Sequence, residues 1–137
     1  MPPLISVVTI CYNAKNDLEK TILSVLSQTY QDIEYIIIDG GSTDGTVDII
    51  HKYSERLFYW ISEPDKGIYD AMNKGMDRAT GSWINFMNAG DTFCDNEVIK
   101  NIFGYNDLSD YSVIYGDCYV SKLNQLQYLK ASSMKKM

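Results

Sequence analysis

Cysteine is scarce and badly placed for cross-linking. Cys11, Cys94 and Cys118 are odd in number, far apart and form no C-x-x-C pair, which argues against both a disulfide framework and a zinc site. They read as small buried hydrophobes in a reducing compartment. No apolar run approaches the roughly 20 residues of a membrane span, and residues 4–10 are too short and too lightly flanked for a secretion signal. The expected location is therefore cytoplasmic. Basic residues are outnumbered, 12 Lys and Arg against 18 Asp and Glu, for a net charge of −6. That balance disfavours free nucleic acid and anionic membrane as main partners, although Lys135-Lys136 offers slight local attraction, and it means that any anionic substrate needs a local cation. Internal repeats, linkers and low-complexity segments are absent, and so is a G-x-G-x-x-G fingerprint.

What is present is an alternation of strand-like and helix-like segments in 137 residues, a length suited to one domain. Residues 5–10 read as a buried strand, followed by a helix over 17–27 in which Leu18, Ile22, Val25 and Leu26 recur at helical spacing. Strands are expected over 35–38, 57–61, 83–87 and 113–120. Helices are expected over 45–53, with Val47 and Ile50 inward, and from Ile68 to a stop at Gly81, with Ile68, Met72, Met76 and Ala79 as its apolar stripe. A last helix runs from an Asp95 N-cap to Gly104. Such β/α alternation with short connections predicts a mostly parallel sheet covered by helices on both faces.

The turn Asp39-Gly40-Gly41-Ser42-Thr43-Asp44-Gly45-Thr46 follows the apolar run Tyr35-Ile36-Ile37-Ile38, so Asp39 falls at the carboxyl end of a buried strand, where open α/β sheets bind ligands. Gly40 and Gly45 have the spacing of P-loop glycines, but Thr46 stands where the phosphate-gripping lysine belongs. Two carboxylates in the turn would repel a bare pyrophosphate, which points to a nucleotide held by its base, its ribose and a metal. The other strand ends are also polar: Cys11-Tyr12-Asn13, Ser62-Glu63-Pro64-Asp65 and Asn88-Ala89-Gly90-Asp91. In a parallel sheet these share one rim with Asp39. Each of these residues taken singly is also a good turn former or helix cap.

The segment Ile5-Ser6-Val7-Val8-Thr9-Ile10 with Tyr12-Asn13, then Ser24-Val25-Leu26-Ser27-Gln28-Thr29-Tyr30, the Asp39-to-Thr46 turn, and Glu63-Pro64-Asp65-Lys66-Gly67-Ile68-Tyr69-Asp70-Ala71-Met72-Asn73-Lys74-Gly75 together resemble a bacterial family-two glycosyltransferase of the GT-A fold. The likeness covers roughly residues 4–120, with several separate motifs in order. It implies a Rossmann-like α/β domain that transfers a sugar, with inversion, from a nucleotide-diphosphate donor to the hydroxyl of a saccharide or lipid-linked acceptor. The setting it implies is surface polysaccharide or lipopolysaccharide synthesis, in the cytoplasm or peripherally at the inner face of the membrane. On the same resemblance Tyr12, Asn13, Asp39, Ser42, Asp65 with the helix start that follows it, and Asn88 would surround the donor, and Asp91 would be the metal-binding carboxylate for Mn2+ or Mg2+.

Two departures qualify the likeness. Asp39-Gly40 stands where many relatives carry two adjacent acids, so the base contact, and with it the nucleoside, is open. Asn88-Ala89-Gly90-Asp91 retains one carboxylate where relatives often have two or three. One is chemically adequate, because magnesium and manganese in nucleotide sites take one or two protein carboxylates plus phosphate oxygens. The family's catalytic base lies downstream of the strand resembled by residues 113–120, so the 137 residues are expected to be the N-terminal, donor-binding part of a longer enzyme, with Asp117 as the one late acid that could face an acceptor. An uncovered strand there is expected to promote homo-oligomers. The alternatives are a non-catalytic nucleotide-sugar-binding module and a nucleotidyltransferase. The latter should carry a glycine-rich basic loop after the first strand, and Cys11-Tyr12-Asn13-Ala14 is not one.

Overall fold

The computed structural model describes residues 2–114, 116, 118–122 and 125–129. The chain forms two compact units, Met1–Tyr105 and Asn106–Met137. In the first, β1 (Ile5–Cys11), β2 (Ile33–Asp39), β3 (Tyr59–Ser62) and β4 (Trp83–Phe86) make a four-stranded sheet in the order β3-β2-β1-β4, with every neighbouring pair parallel. Helices α1 (Leu18–Leu26), α2 (Thr46–Lys52), α3 (Ile68–Arg78) and α4 (Val98–Phe103) provide the connections and cover. The strand order reverses between β1 and β4, and in such sheets the crevice at the carboxyl ends of the strands at that reversal is where ligands bind.

The period-two pleat sends alternate residues of the central strands into two separate cores. Ile5, Val7, Tyr35 and Ile37 pack with Leu18, Ile22 and Val25 of α1, Ile50 of α2 and Ile99 of α4. Val8, Ile36 and Ile38 face the other way and pack with Ala71 of α3. Central strands buried on both faces read as near-continuous apolar runs, which is why β1 and β2 stand out in the sequence.

Cys94, read as a small buried hydrophobe, is exposed, and α3 ends at Arg78, short of the expected stop at Gly81. Three further expectations change. On α3, Ala71 and Gly75 are the buried residues, whereas Ile68 and Met76 are 49% and 43% exposed, so the stripe built on Ile68 and Met76 is not the sheet-facing side. The helix lies so close to β1 that a Cβ at Gly75 would overlap Val8, and only small side chains fit against the sheet. Next, α4 begins at Val98 with Glu97 in the capping position, while Asp95 accepts the Glu97 amide at 2.8 Å in the turn before it. Finally, residues 113 and 114 are not strand; in the second unit β5 (Cys118–Lys122) pairs antiparallel with β6 (Gln125–Leu129), a hairpin partner the sequence reading did not anticipate.

At the amino-terminal end of the sheet Glu34 is only 6% exposed. Its carboxylate accepts hydrogen bonds from the hydroxyls of Ser6 and Thr80 (both 2.6 Å) and from the amides of Thr80 and Gly81, which ties the α3–β4 connection to β1 and β2. Burial is the largest single influence and pushes the Glu34 carboxyl up, but the Ser6, Thr80 and Gly81 hydrogen bonds together outweigh it and hold it below the ordinary carboxylate range. A carboxyl depressed in the folded state contributes stability that is present above its unfolded value, about 4.3, and is lost as the pH falls through the folded one. Glu34→Ala should therefore cost about 2–4 kcal/mol at neutral pH, with the difference from wild type shrinking in acid. Urea unfolding at pH 7 and below pH 4 measures this; a constant difference would mean that Glu34 acts through packing alone.

Candidate functional site

Asp39 ends β2 and is completely buried. Its Oδ2 accepts from the amides of Gly41 (3.1 Å) and Ser42 (2.9 Å) and from the Ser62 hydroxyl (2.7 Å). Oδ1 accepts from the Ser42 hydroxyl (2.5 Å) and the Cys11 thiol (3.4 Å). Burial pushes its carboxyl up, yet the Ser42, Ser62 and Cys11 hydrogen bonds prevail and keep it ionised below the usual range. The same burial, reinforced by the neighbouring Asp39 charge, pushes the Cys11 thiol far up, so Cys11 is a donor to this carboxylate and not a nucleophile.

The turn behind Asp39 is stitched to the loop after β1. Ser42 Oγ accepts the Asn13 amide at 2.7 Å, and Asn13 Oδ1 accepts the Thr43 amide at 2.9 Å. Asp44 accepts the Thr46 hydroxyl and amide through Oδ1 and the Lys15 amide through Oδ2, and Thr46 Oγ1 accepts the Ala14 amide. Asn13 holds a left-handed backbone (φ 47°), a conformation asparagine tolerates better than most residues, and Tyr12 beside it is 65% exposed.

On the far side, Gly90 (φ 103°) shapes the turn after β4, in which the Asp91 amide donates to the Asn88 carbonyl at 2.9 Å. Thr21 of α1 holds that turn, its hydroxyl accepting the Gly90 amide and donating to the Asp91 carbonyl. The Asp91 side chain is exposed. Asn88 Oδ1 is buried without a hydrogen-bond partner.

Between these loops opens a cavity of about 450 Å³, within the usual size of a small-molecule site. Tyr12, Asn13, Asp65 and Asn88 line it, as the shared rim leads one to expect. Asp39 and Ser42 are not on its wall; they sit behind the loop that is. Asp91 is likewise off the wall, three residues beyond Asn88. Asp117 lies outside the described residues. Gly67 and Ile68, the helix start after Asp65, also line the cavity, and so does Asp17, which was not singled out. Asp17 read as a helix start, and its position just before α1 was the available signal. Gly67 (φ 113°) and Ile68 bring the first turn of α3 to the cavity, where helix amides favour an anion.

No group of three or more His, Cys, Asp or Glu side chains gathers around a metal position among the described residues. In the turn after β4 the exposed Asp91 carboxylate is a hard oxygen donor of the kind Mg2+ and Mn2+ take together with phosphate oxygens, while the unpartnered Asn88 amide oxygen, nearby in sequence, is buried. No helix among the described residues is long and apolar enough to cross a membrane.

Comparison with known proteins agrees with this geometry. A PGL/p-HBAD biosynthesis glycosyltransferase of Mycobacterium bovis is 34% identical over 129 residues, 89% of this chain and 49% of the relative. The putative teichuronic acid biosynthesis glycosyltransferase TuaG of Bacillus subtilis is 38% identical over 103 residues, 73% of this chain and 41% of the relative. The chain thus spans less than half the length of either. A mannosyltransferase from Pyrobaculum calidifontis, solved with GDP-Man and Mn2+, has the same fold, with a TM-score of 0.68 at 23% identity over 74% of this chain and 31% of its own. The family model of glycosyl transferase family 2 matches residues 6–137, and the chain belongs to that family.

Proposed function

We propose that this chain binds a nucleoside-diphosphate sugar in the cavity at the β1/β4 strand reversal and serves the donor side of inverting sugar transfer to an acceptor hydroxyl. The observation that carries the reading is the convergence of Tyr12, Asn13, Asp65 and Asn88, from three strand ends, on one cavity beside the start of α3. Tyr12 offers a face for a base to stack on. Asn13 and Asp65 supply hydrogen-bonding groups for the nucleoside, with Asp39 and Ser42 fixing the loops that present them. The first turn of α3 and the Asn88–Asp91 turn face the diphosphate. A divalent cation held by Asp91 and the Asn88 amide oxygen would neutralise charge on the departing diphosphate. The acceptor is a saccharide or lipid-linked chain of the surface polysaccharide type, in keeping with the biosynthetic roles named for the two relatives. The work then takes place on the cytoplasmic side, where Asp117 is the late acid to test as a base.

The test is thermal unfolding with nucleoside diphosphates, with and without Mn2+. A ligand at a hundred times its dissociation constant adds about 2.7 kcal/mol, enough to raise the midpoint by several degrees. The expected result is stabilisation by a nucleoside diphosphate that depends on the cation. No shift with any nucleoside diphosphate in the presence of Mn2+ would overturn the reading.

A further inference from the structure

Gly40 stands directly behind the buried Asp39, and its backbone is not in the left-handed region that would call for glycine. Space is what it provides. A Cβ at residue 40 would lie 2.8 Å from Oδ2 of Asp65 and 3.4 Å from Cδ2 of Tyr12. The Asp65 carboxylate, reaching across from the β3–α3 loop, therefore fills the volume that a side chain at position 40 would take, alongside the Tyr12 ring. Both Asp65 and Tyr12 line the cavity.

The two oxygens of Asp65 differ. Oδ1 accepts the Gly67 amide at 2.9 Å, while Oδ2 makes no hydrogen bond among the described residues. The loop that carries it is held from α3: Asp70 accepts the Lys66 amide at 2.9 Å, and Lys74 donates to the Pro64 carbonyl at 3.3 Å and pairs with Glu63 at 3.0 Å. One uncommitted oxygen, able only to accept, is thus fixed beside an aromatic ring in the cavity.

Nucleobase edges answer such a group differently. Uracil and thymine present a single imide N–H between two carbonyls. Cytosine places an unprotonated nitrogen at the same position, and guanine presents two adjacent donors that ask for both oxygens of a carboxylate. On the nucleotide-sugar reading above, we propose that Asp65 reads the base through Oδ2 and selects a uracil- or thymine-type imide, and that Gly40 is the residue that makes room for it.

The experiment is calorimetric titration, in Mn2+, of wild type, Asp65→Asn and Gly40→Ala with UDP, 2′-deoxy-UDP, CDP and GDP. Asp65→Asn gives the same shape a donor that suits cytosine. Gly40→Ala displaces the tip of a flexible side chain and no backbone, so it moves the carboxylate while leaving the fold intact. Wild type should favour UDP over CDP and GDP by about tenfold or more, the range of a charge-assisted hydrogen bond. Both variants should bring the UDP-to-CDP ratio to within about threefold, with the UDP-to-2′-deoxy-UDP ratio unchanged. An unchanged UDP-to-CDP ratio in both variants, or a wild-type preference for GDP, overturns the assignment. Collapse of the 2′-deoxy ratio instead would move Asp65 to the ribose and overturn it as well. If Asp65→Asn flattens the preference and Gly40→Ala does not, Asp65 stands and the role of Gly40 falls. Failure of wild type to bind any nucleoside diphosphate defeats the nucleotide-sugar reading itself, a result distinct from binding without selectivity.

Discussion

Replacing Asp91 by Asn should remove most of the cation-dependent stabilisation by a nucleoside diphosphate while shifting the midpoint of the unliganded protein by no more than about a degree. The side chain is exposed and makes no hydrogen bond or ion pair among the described residues; only its backbone is engaged, with Thr21 and Asn88. Surface changes of that kind typically alter stability by about 0.5 kcal/mol or less. Its loss as a ligand is another matter. Magnesium and manganese prefer charged oxygen donors, and this turn offers one carboxylate with one neutral amide oxygen. A hundredfold weakening would cut the roughly 2.7 kcal/mol expected at a hundred times the wild-type dissociation constant to about 0.4 kcal/mol. Asn88→Ala removes the unpartnered oxygen and should weaken the same effect by a smaller step. Matched scans of the three proteins with and without Mn2+ decide the matter: equal stabilisation of wild type and Asp91→Asn would remove Asp91 from the metal.

Much of this site was legible because a parallel sheet makes strand ends neighbours whatever lies between them in sequence. Tyr12, Asn13, Asp65 and Asn88 were each found by asking which polar residue ends an apolar run, and the topology brought all four to one cavity. What could not be read was which of the strand-end groups face outward. Asp39 looks from sequence like the residue most ready to touch a ligand, and in the fold it is sealed beneath Ser42 and Ser62. Nothing in a linear string shows that Ser62, from a third strand, supplies one of its donors. The misjudged face of α3 has a similar origin. Periodicity marks where large apolar side chains recur, but the close approach to Val8 made Ala71 and Gly75 the contact residues, and small residues give periodicity little weight. The β5–β6 hairpin escaped notice because short alternating segments carry a weak signal.

Asp39 supplies the second large effect, and it separates two roles that the sequence could not distinguish. Were it a direct nucleoside ligand, Asp39→Ala would weaken nucleoside monophosphate binding and leave the fold largely undisturbed. The carboxylate, however, has about four lone-pair positions and five donors already directed at it, from Gly41, Ser42 twice, Ser62 and Cys11. No capacity remains for a ligand, so we expect Asp39 to act through the loops it fixes. Removing it leaves buried amides and hydroxyls without an acceptor, each costing about 1–3 kcal/mol where water cannot enter, and a loss of about 3–5 kcal/mol overall is expected. Because its carboxyl is held below the ordinary range, that contribution is complete above about pH 4 and declines as acid protonates the folded form, so the variant and wild type should converge in stability at low pH. Ser62→Ala removes one donor and should cost about 1 kcal/mol, with monophosphate binding weakened only in proportion. Urea unfolding and monophosphate titration on the same samples give the answer. Binding lost together with several kcal/mol of stability supports the positioning role, whereas binding lost at unchanged stability would return Asp39 to direct contact with the nucleoside.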